Sequence, residues 1–234
     1  MSATALDPRT VIAKRCALEL RDGEVVNLGF GIPTLTVNYL PAGINVIFHT
    51  ENGCFGFGPK PNTCDADSNM TSASNEPITV RPGAAIMDLA TSLGAMRAGY
   101  IATAILGGLE VDQEGNLANW ASKRSGRWWP GIGGAMDLCY GVPRIIAALQ
   151  HIDKHGNSKL KKLTSLPLTG RRCVKAICHR QSGIRHRQHW PCLTRGTTWH
   201  DDRRRSRHYR SGVLSVLRLQ ANAALIAAGS PWAS

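Results

Sequence analysis

The chain has 234 residues, of which 43% are hydrophobic and 6% aromatic, so it can bury a sizeable core in one large domain or two small ones. No run of roughly 18 apolar residues occurs, which argues against a membrane-spanning helix. Residues 1–15 lack the apolar stretch of a secretory signal, so we expect a cytoplasmic protein with no membrane partner. The net charge of +12 is concentrated at one end, because residues 1–172 carry a net +3 and residues 173–234 a net +9.

Helices and strands alternate in the prediction from the start of the chain. Apolar residues at helical spacing predict a helix over residues 8–21, and a short strand follows at 24–28. A second helix is predicted at 34–40, where Pro33 suits the first turn, and a second strand at 45–49.

The same alternation continues further along the chain. We expect a strand at 77–80, a helix at 86–98, and strands at 100–106 and 144–149. Strands that alternate with helices pair in parallel, so the sequence predicts a layered α/β domain of the αβα type around a parallel sheet. In such folds the site lies at the carboxyl ends of the strands, which directs attention to the turns there.

Glu51 is the candidate catalytic residue that the local sequence favours. It follows the predicted strand at 45–49 and precedes Asn52 and Gly53, which form a strong turn pair. A carboxylate held out on a tight turn can act as a nucleophile, and glycine beside it lets a ligand approach the backbone. The alternative, from these residues alone, is a solvated turn glutamate without a catalytic role.

Two further glycine clusters are candidate binding elements. In residues 131–135, backbone N–H groups could bind an oxyanion, although a flexible loop has the same composition. Residues 27–31 superficially match a dinucleotide-binding loop but lack the final glycine of that motif, which argues against a nucleotide cofactor of that kind.

The cysteines indicate neither disulfides nor a metal site. There are seven of them, an odd number without a C-x-x-C pair, so we expect free thiols in a reducing compartment. A zinc site can be imagined from five residues whose spacing matches no standard pattern, so no metal is predicted. These five are Cys173, Cys178, His186, His189 and Cys192.

Five short motifs follow one another in a specific order along residues 8–174. They are NLGFGIP (27–33), ENG (51–53), GNLANW (115–120), GIGGAMDL (131–138) and LPLTG (166–170). In this order they resemble the B subunit of the family I coenzyme A transferases, the 3-oxoacid CoA-transferases. The ordered set is far more specific than any one motif.

The resemblance implies a reaction and a set of site residues. The family moves coenzyme A between an acyl-CoA such as succinyl-CoA and a 3-oxo acid such as acetoacetate, a step of ketone body metabolism; a 3-oxoadipate CoA-transferase is the alternative within it. The glutamate of its E-N-G motif is the nucleophile that carries a glutamyl-CoA thioester, and this role falls on Glu51. Oxyanion and substrate contacts are implied at Asn27, Gly29, Gly31, Asn52, Gly53, Gly133 and Gly134.

The resemblance also implies a partner. A separate A subunit contributes to the site, usually in a heterotetramer of two A and two B chains. The coenzyme A thioester is a substrate, and neither a permanently bound cofactor nor a metal is expected. Thr50 stands where the family commonly has serine, and both side chains present a hydroxyl.

Residues 173–234 do not follow the family. They contain no glutamate, ten arginines against one lysine, and five of the eight histidines. Codons chosen for residues 178–181 and 183–189 read, one base later, as Ala-Thr-Asp and Ala-Phe-Asp-Ile-Asp-Ser, close to the family sequence at this point. We therefore expect a frameshift near residue 174. A family domain over 1–172, lacking its last strand and helix, would precede an irregular out-of-frame tail over 173–234.

A genuine basic tail that binds nucleic acid through phosphates is the competing interpretation, with the arginines at 203–210 as its core. The chain would then be inactive or associated with nucleic acid. Because residues 8–174 resemble a CoA-transferase subunit, we do not expect nucleic acid to be a partner. If the frame is broken, the lost strand exposes an apolar sheet edge, so we expect low stability, aggregation or inactivity.

Overall fold

The fold is built on an eight-stranded, mostly parallel sheet, seen in a computed structural model that describes residues 7–179 and 183–186. Three α-helices, two 3-10 helices and thirteen strands occur in this described part. In chain order they are α1 (Pro8–Ala17), β1 (Val25–Leu28), a 3-10 helix (Pro33–Tyr39), β2 (Ile47–Thr50), β3 (Cys54–Phe57), a 3-10 turn (Thr63–Asp65), β4 (Val80–Ile86), α2 (Leu89–Arg97), β5 (Thr103–Gly107), β6 (Glu110–Asp112), β7 (Leu117–Ala118), β8 (Ala121–Arg124), β9 (Arg127–Pro130), α3 (Ala135–Gly141), β10 (Arg144–Ala148), β11 (Leu160–Lys161), β12 (Val174–His179) and β13 (Gly183–His186).

The strand order in the large sheet is β13-β12-β10-β5-β1-β2-β3-β4. The five strands from β12 to β2 pair in parallel, whereas β3 runs antiparallel to β2 and β13 antiparallel to β12. Strands buried on both faces read as continuous apolar runs, as β5 and β10 do. The sheet confirms the predicted α/β class.

The core lies between α1 and one face of this sheet. Ile12 and Cys16 of α1 are fully buried and belong to one cluster with Val26, Phe48 and Ile146, which come from three strands of the sheet. Helix α1 starts where Asp7 accepts a hydrogen bond from the Thr10 N–H at 3.3 Å, as an N-cap residue does, and Pro8 fills the first helical position.

An ion-pair contact ties the end of this helical segment to the sheet. Arg144 at the start of β10 donates to the Glu19 main-chain carbonyl at 2.8 Å and to the Glu19 carboxylate at 2.5 Å. Since both partners are largely buried, the pair fixes the sequence after α1 against a central strand.

Several element boundaries differ from the prediction. The helix predicted at 34–40 is a 3-10 helix, the strand predicted at 77–80 starts at Val80 and runs to Ile86, and the helix predicted from 86 begins at Leu89. The physical reason for the last difference is Asp88, whose carboxylate accepts the Thr91 N–H at 3.0 Å and caps the helix there.

The sheet continues beyond residue 172. Strand β12 begins at Val174, pairs in parallel with β10 and is mostly buried, and β13 pairs along its outer edge. Residues 180–182 and 187–234 lie outside the described residues, and with them the arginine-rich segment at 203–210 and two of the imagined zinc ligands, His189 and Cys192. The domain limit and the frameshift stay predictions.

Within the described residues, no helix is long and apolar enough to cross a membrane. The same part of the chain holds no cluster of His, Cys, Asp and Glu suited to a metal ion.

Candidate active site

Glu51 lies on the tight turn that connects β2 to β3. The Gly53 N–H donates to the Thr50 carbonyl at 2.9 Å and closes the turn. The Thr50 hydroxyl donates to the Asn52 side-chain oxygen at 2.8 Å, and the Asn52 amide donates to the Thr71 carbonyl at 2.9 Å. Thus Asn52 and Thr50 hold the turn from the side, and the sequence expectation of a turn at the strand end is confirmed.

Gly53 is required by the shape of this turn. Its φ of +114° lies in the region that favours glycine, and a Cβ there would collide with the Met87 carbonyl oxygen. Any other residue would push β3 away from the segment that leads into α2. The implied role of Gly53 as a substrate contact stays a prediction, whereas its structural role is visible.

The glycine loop before α3 lies directly against the Glu51 carboxylate. The Gly134 N–H donates to Glu51 Oε2 at 3.1 Å, although the two residues are 83 positions apart. A Cβ on Gly134 would lie 2.9 Å from Oε2, and one on Gly133, whose φ is +49°, would collide with Oε1. The absence of side chains is therefore what lets this loop reach the carboxylate.

The carboxylate faces a cleft of about 410 Å³. This volume is within the range that small-molecule sites occupy. Main-chain atoms of glycines form much of the wall, and Asn119 supplies a side-chain amide. The glycines concerned are Gly29, Gly107, Gly108, Gly131 and Gly133, and the apolar part of the wall includes Phe30, Leu106, Ile132 and Leu138.

The surroundings of Glu51 make its carboxylate more basic. Burial raises the pKa of Glu51, the Gly134 N–H lowers it in part, and the negative charge of Asp137 raises it again. Asp137 itself is paired with Arg97 at 2.9 Å. A carboxylate with a raised pKa is more basic, and in its ionised form it is therefore a stronger nucleophile.

Asn27 lies behind the turn rather than on the carboxylate. Its side chain is 1% exposed, and its amide nitrogen contacts His49 Nδ1 at 3.0 Å. His49 Nε2 in turn lies 2.9 Å from the Ser92 hydroxyl, which donates to the Glu51 main-chain carbonyl at 2.8 Å. The structure thus connects Asn27 to Glu51 through two other side chains, and an oxyanion contact by Asn27 stays a prediction.

Gly29 and Gly31 differ in their placement. Gly29 lines the Glu51 cleft, and a Cβ there would lie 3.1 Å from a Leu106 methyl carbon, so the β1 end packs closely on β5. Gly31 has a φ of +87° with open space around it, so glycine is favoured there by the backbone conformation and not by a close contact. Of the implied site residues, Gly29 and Gly133 line the cleft with Glu51, and Gly134 contacts the Glu51 carboxylate through its N–H.

Sequence reasoning missed three residues near Glu51. Ser92 donates to its main-chain carbonyl, Asp137 acts on its charge, and His49 contacts Ser92. His49, Ser92 and Asp137 come from β2, α2 and α3. Asp137 stands inside the GIGGAMDL motif, three positions after Gly134, so its nearness could have been found. Ser92 is 41 positions from Glu51, and no local pattern marks it.

Comparison with known proteins identifies the family of this chain. The sequence model of the family described as Coenzyme A transferase matches residues 9–181. The beta subunit of the acetate CoA-transferase of Escherichia coli K12 is 44% identical over 172 residues, which cover 74% of this chain and 77% of that protein. The B subunit of the succinyl-CoA:3-ketoacid coenzyme A transferase of Helicobacter pylori 26695 is 46% identical over 169 residues, covering 72% and 80%.

Longer proteins share the fold over part of their length. The crystal structure of an acyl-CoA transferase apoenzyme from Escherichia coli O157:H7 superimposes with a TM-score of 0.55 and 19% identity, over 78% of this chain but 38% of that one. The human mitochondrial succinyl-CoA:3-ketoacid coenzyme A transferase 2 is 36% identical over 80% of this chain and 38% of its own length.

The family model and these relatives therefore define a CoA-transferase. This chain belongs to the coenzyme A transferase family, and within it corresponds to the chains named B or beta.

Proposed function

We propose that this chain is the B subunit of a transferase that moves coenzyme A between succinyl-CoA and a 3-oxo acid such as acetoacetate, through a glutamyl-CoA thioester on Glu51. The observation that carries the proposal is the Glu51 carboxylate in an open cleft with the Gly134 N–H on its Oε2 at 3.1 Å. The names of the relatives from Helicobacter pylori and Bacillus subtilis support the substrate pair.

The first half of the proposed reaction loads coenzyme A onto the enzyme. A carboxylate oxygen of Glu51 attacks the thioester carbonyl carbon, and the C–S bond breaks to give a mixed anhydride and the coenzyme A thiolate. The thiolate then attacks the Glu51 carbonyl carbon, and the anhydride C–O bond breaks. This releases the first acid as its carboxylate and leaves the glutamyl-CoA thioester, so no metal or ATP enters the balance.

The second half reverses these steps with the acceptor. The acceptor carboxylate attacks the Glu51 thioester carbonyl, the thiolate leaves, and it then attacks the acceptor carbonyl of the new anhydride. Glu51 returns as a free carboxylate. Because the enzyme alternates between two forms, ping-pong kinetics are expected.

The Gly134 N–H has a defined part in this proposal. When the thiolate attacks Glu51, negative charge develops on a glutamyl oxygen, and a donor already 3.1 Å from Oε2 can stabilise it. A donor of this kind lowers the barrier by about 2.7–4 kcal/mol. Binding energy from the long coenzyme A tail, away from the reacting atoms, can be used in the same step.

The proposal includes a partner A subunit. Relatives with B or beta in their names resemble this chain over most of their length, whereas this chain spans about two fifths of the longer human transferase. We propose a heterotetramer of two A and two B chains in the cytoplasm, with coenzyme A thioesters as substrates and no resident cofactor.

A 3-oxoadipate CoA-transferase is the second candidate. The B subunit of the 3-oxoadipate CoA-transferase of Pseudomonas putida is 39% identical over 177 residues. Both candidates use the same chemistry on Glu51 and differ only in the acid. Turnover of the assembled enzyme with acetoacetate and with 3-oxoadipate, each against succinyl-CoA, separates them.

The test of the proposed chemistry is to trap the intermediate. The full chain, co-expressed with an A subunit, is incubated with succinyl-CoA and reduced with borohydride, and its peptides are weighed by mass spectrometry. We expect the modification on the peptide that contains Glu51 and none in Glu51→Ala. Normal coenzyme A transfer by Glu51→Ala would contradict the proposal.

The same assay tests the tail. A version with the reading frame restored after codon 174 is compared with this chain for soluble yield and turnover. We expect the restored version to be higher in both, since it regains a complete sheet. Equal values would contradict the predicted frameshift, and an unmodified Glu51 in both versions would favour a chain without this activity.

A further inference from the structure

We propose that His49 and Ser92 are positioning residues, which hold Glu51 in its reactive place through a chain of hydrogen bonds that begins at Asn27 and ends on the Glu51 main-chain carbonyl. This inference rests on the proposed role of Glu51 as nucleophile. It assigns a function to two buried polar side chains that the proposed reaction steps do not use.

The chain of contacts is continuous and buried. The Asn27 amide nitrogen lies 3.0 Å from His49 Nδ1, His49 Nε2 lies 2.9 Å from Ser92 Oγ, and Ser92 Oγ lies 2.8 Å from the Glu51 carbonyl oxygen. His49 and Ser92 are 0% exposed and Asn27 is 1% exposed. Buried polar groups are costly to leave unpaired, so these four groups fix one another.

The donors and acceptors fit a single arrangement. An amide nitrogen can only donate, so His49 Nδ1 accepts from Asn27 and the ring proton is on Nε2. The Nε2–H then donates to Ser92 Oγ, which leaves the Ser92 hydroxyl proton for the Glu51 carbonyl. Burial lowers the pKa of His49 to about 4, which keeps the ring in the neutral form that this order requires.

This chain of hydrogen bonds connects three secondary-structure elements to the turn that carries Glu51. Asn27 lies on β1, His49 on β2 and Ser92 on α2, so the Glu51 peptide is held from the strand side and the helix side together. The Gly134 N–H fixes the carboxylate end of the same residue. Reacting atoms must be placed closely, since a displacement of about 1 Å can cost roughly 10²-fold in rate.

The competing explanation is packing alone. The His49 ring lies on Phe55, with ring centroids 4.2 Å apart, so removal of the imidazole also disturbs a hydrophobic contact. A test must therefore distinguish a loss of folded protein from a displacement of Glu51 in protein that is folded. Turnover per titrated active site does this, because misfolded chains form no glutamyl-CoA and are not counted.

The experiment compares Ser92→Ala with Thr91→Ala in the full chain assembled with its A subunit. Thr91 is the exposed neighbour of Ser92, and its hydroxyl donates to Asp88 at the start of α2, so its loss weakens the helix without touching Glu51. Active sites are titrated as glutamyl-CoA. We expect turnover per site to fall about 10–100-fold in Ser92→Ala, with KM for acyl-CoA within about threefold, and to stay unchanged in Thr91→Ala.

Variants at His49 test the connection. His49→Phe keeps a ring against Phe55 but removes both nitrogens, whereas His49→Gln can still donate to Ser92. We expect His49→Gln to keep at least a tenth of the turnover per site, and His49→Phe to lose as much as Ser92→Ala. The turnover per site of the double variant His49→Phe/Ser92→Ala should be no lower than that of the worse single variant, because both substitutions interrupt the same series of hydrogen bonds.

A measurement on the chain without its partner covers variants that assemble poorly. In Ser92→Ala, and in Ser92→Cys with its weaker donor, amide hydrogen exchange should become faster in the peptide containing residues 51–53 and not across the whole sheet.

Unchanged turnover per site in Ser92→Ala, or unchanged exchange at 51–53, would overturn the inference. If Glu51→Ala is dead while Ser92→Ala turns over normally, the positioning role fails and the proposed function stands. If Glu51→Ala transfers coenzyme A normally, the proposed function itself fails.

Discussion

Two clefts open on the same sheet, and the larger one lacks the chemistry of the smaller. The larger, of about 670 Å³, is lined by β4 and by residues of β1, β2 and α2, and the smaller, of about 410 Å³, contains Glu51. Arg81 is the charged residue among the described lining of the larger cleft, and its guanidinium donates to the Val46 carbonyl at 3.1 Å.

The two clefts differ in convergent groups rather than in volume alone, and the proposed function places the reaction where those groups meet. Around Glu51, a carboxylate with a raised pKa meets a backbone donor from a segment far along the chain. In the larger cleft the walls formed by described residues are mostly apolar side chains and glycine, without a carboxylate. Variants in the two clefts should therefore affect different quantities, namely turnover in one and stability in the other.

The largest expected difference comes from the nucleophile. Glu51→Ala should lower kcat at least about 10⁴-fold, because the proposed covalent intermediate would have no other attachment point. Tyr100→Phe, at an exposed position of the larger cleft, should leave kcat within twofold. Steady-state transfer from succinyl-CoA measures both, and a large loss in Tyr100→Phe would make the larger cleft part of the reaction.

The glycine loop should give the next largest effect. Gly134→Ala places a methyl group 2.9 Å from Glu51 Oε2 and should lower kcat about 10²–10³-fold as the N–H loses its position. Gly94→Ala in α2 is the control, since a Cβ there meets nothing within 4 Å and Gly94 lines neither cleft. Equal kcat values for the two variants would remove the loop from the mechanism.

A smaller effect is expected on the pH profile. Because Glu51 must be ionised to attack and its pKa is raised, kcat/KM should fall with decreasing pH at a higher value than an ordinary carboxylate would give. Asp137→Asn removes a negative charge that raises this pKa, so the acid limb should move to lower pH. Glu114→Gln makes the same charge change at an exposed position and should not move it. An upward shift in Asp137→Asn would contradict the assignment.

The smallest effect should appear only in stability. Gly83 lines the larger cleft with a φ of +83° and open space around it, so Gly83→Ala should destabilise the fold by about 1–2 kcal/mol without changing turnover per site. Gly94→Ala, inside α2 with open space, should instead stabilise by about 0.5–1 kcal/mol. Denaturant unfolding measures both, and effects of the same sign would refute the conformational argument.

Sequence reasoning found the elements whose signals are local. Strands β1, β2, β5 and β10 follow from short apolar runs, and their predicted positions agree with the structure to within about three residues. The sequence predicts a helix at 34–40 but not its 3-10 type at Pro33–Tyr39, because the apolar pattern has no feature that sets the hydrogen-bond spacing. Pro82 and Gly83 disfavour a strand in the sequence prediction, yet β4 contains both, because it is the edge strand of the sheet and an edge strand tolerates proline.

The candidate site was predictable in part, for a similar reason. Glu51 stands beside a strong turn pair, and the glycines at 131–134 form a visible cluster, yet only the resemblance joined the two. His49 and Ser92 were not found, since a buried histidine next to Phe48 reads as core, and their contact depends on how α2 packs on β2. Hydrogen-bond chains between distant elements leave no periodic signal in the sequence.

The reversal of direction between β2 and β3 has a consequence for how the free energy of substrate binding can be used. A parallel continuation after β2 would need a crossover of a dozen or more residues, whereas here the chain returns through three residues, 51–53, with a ladder on each side. So short a connection has few alternative conformations to lose. In the proposed mechanism the Glu51 carboxylate is therefore organised before any thioester arrives, and attraction for the coenzyme A moiety remains available to lower the barrier itself.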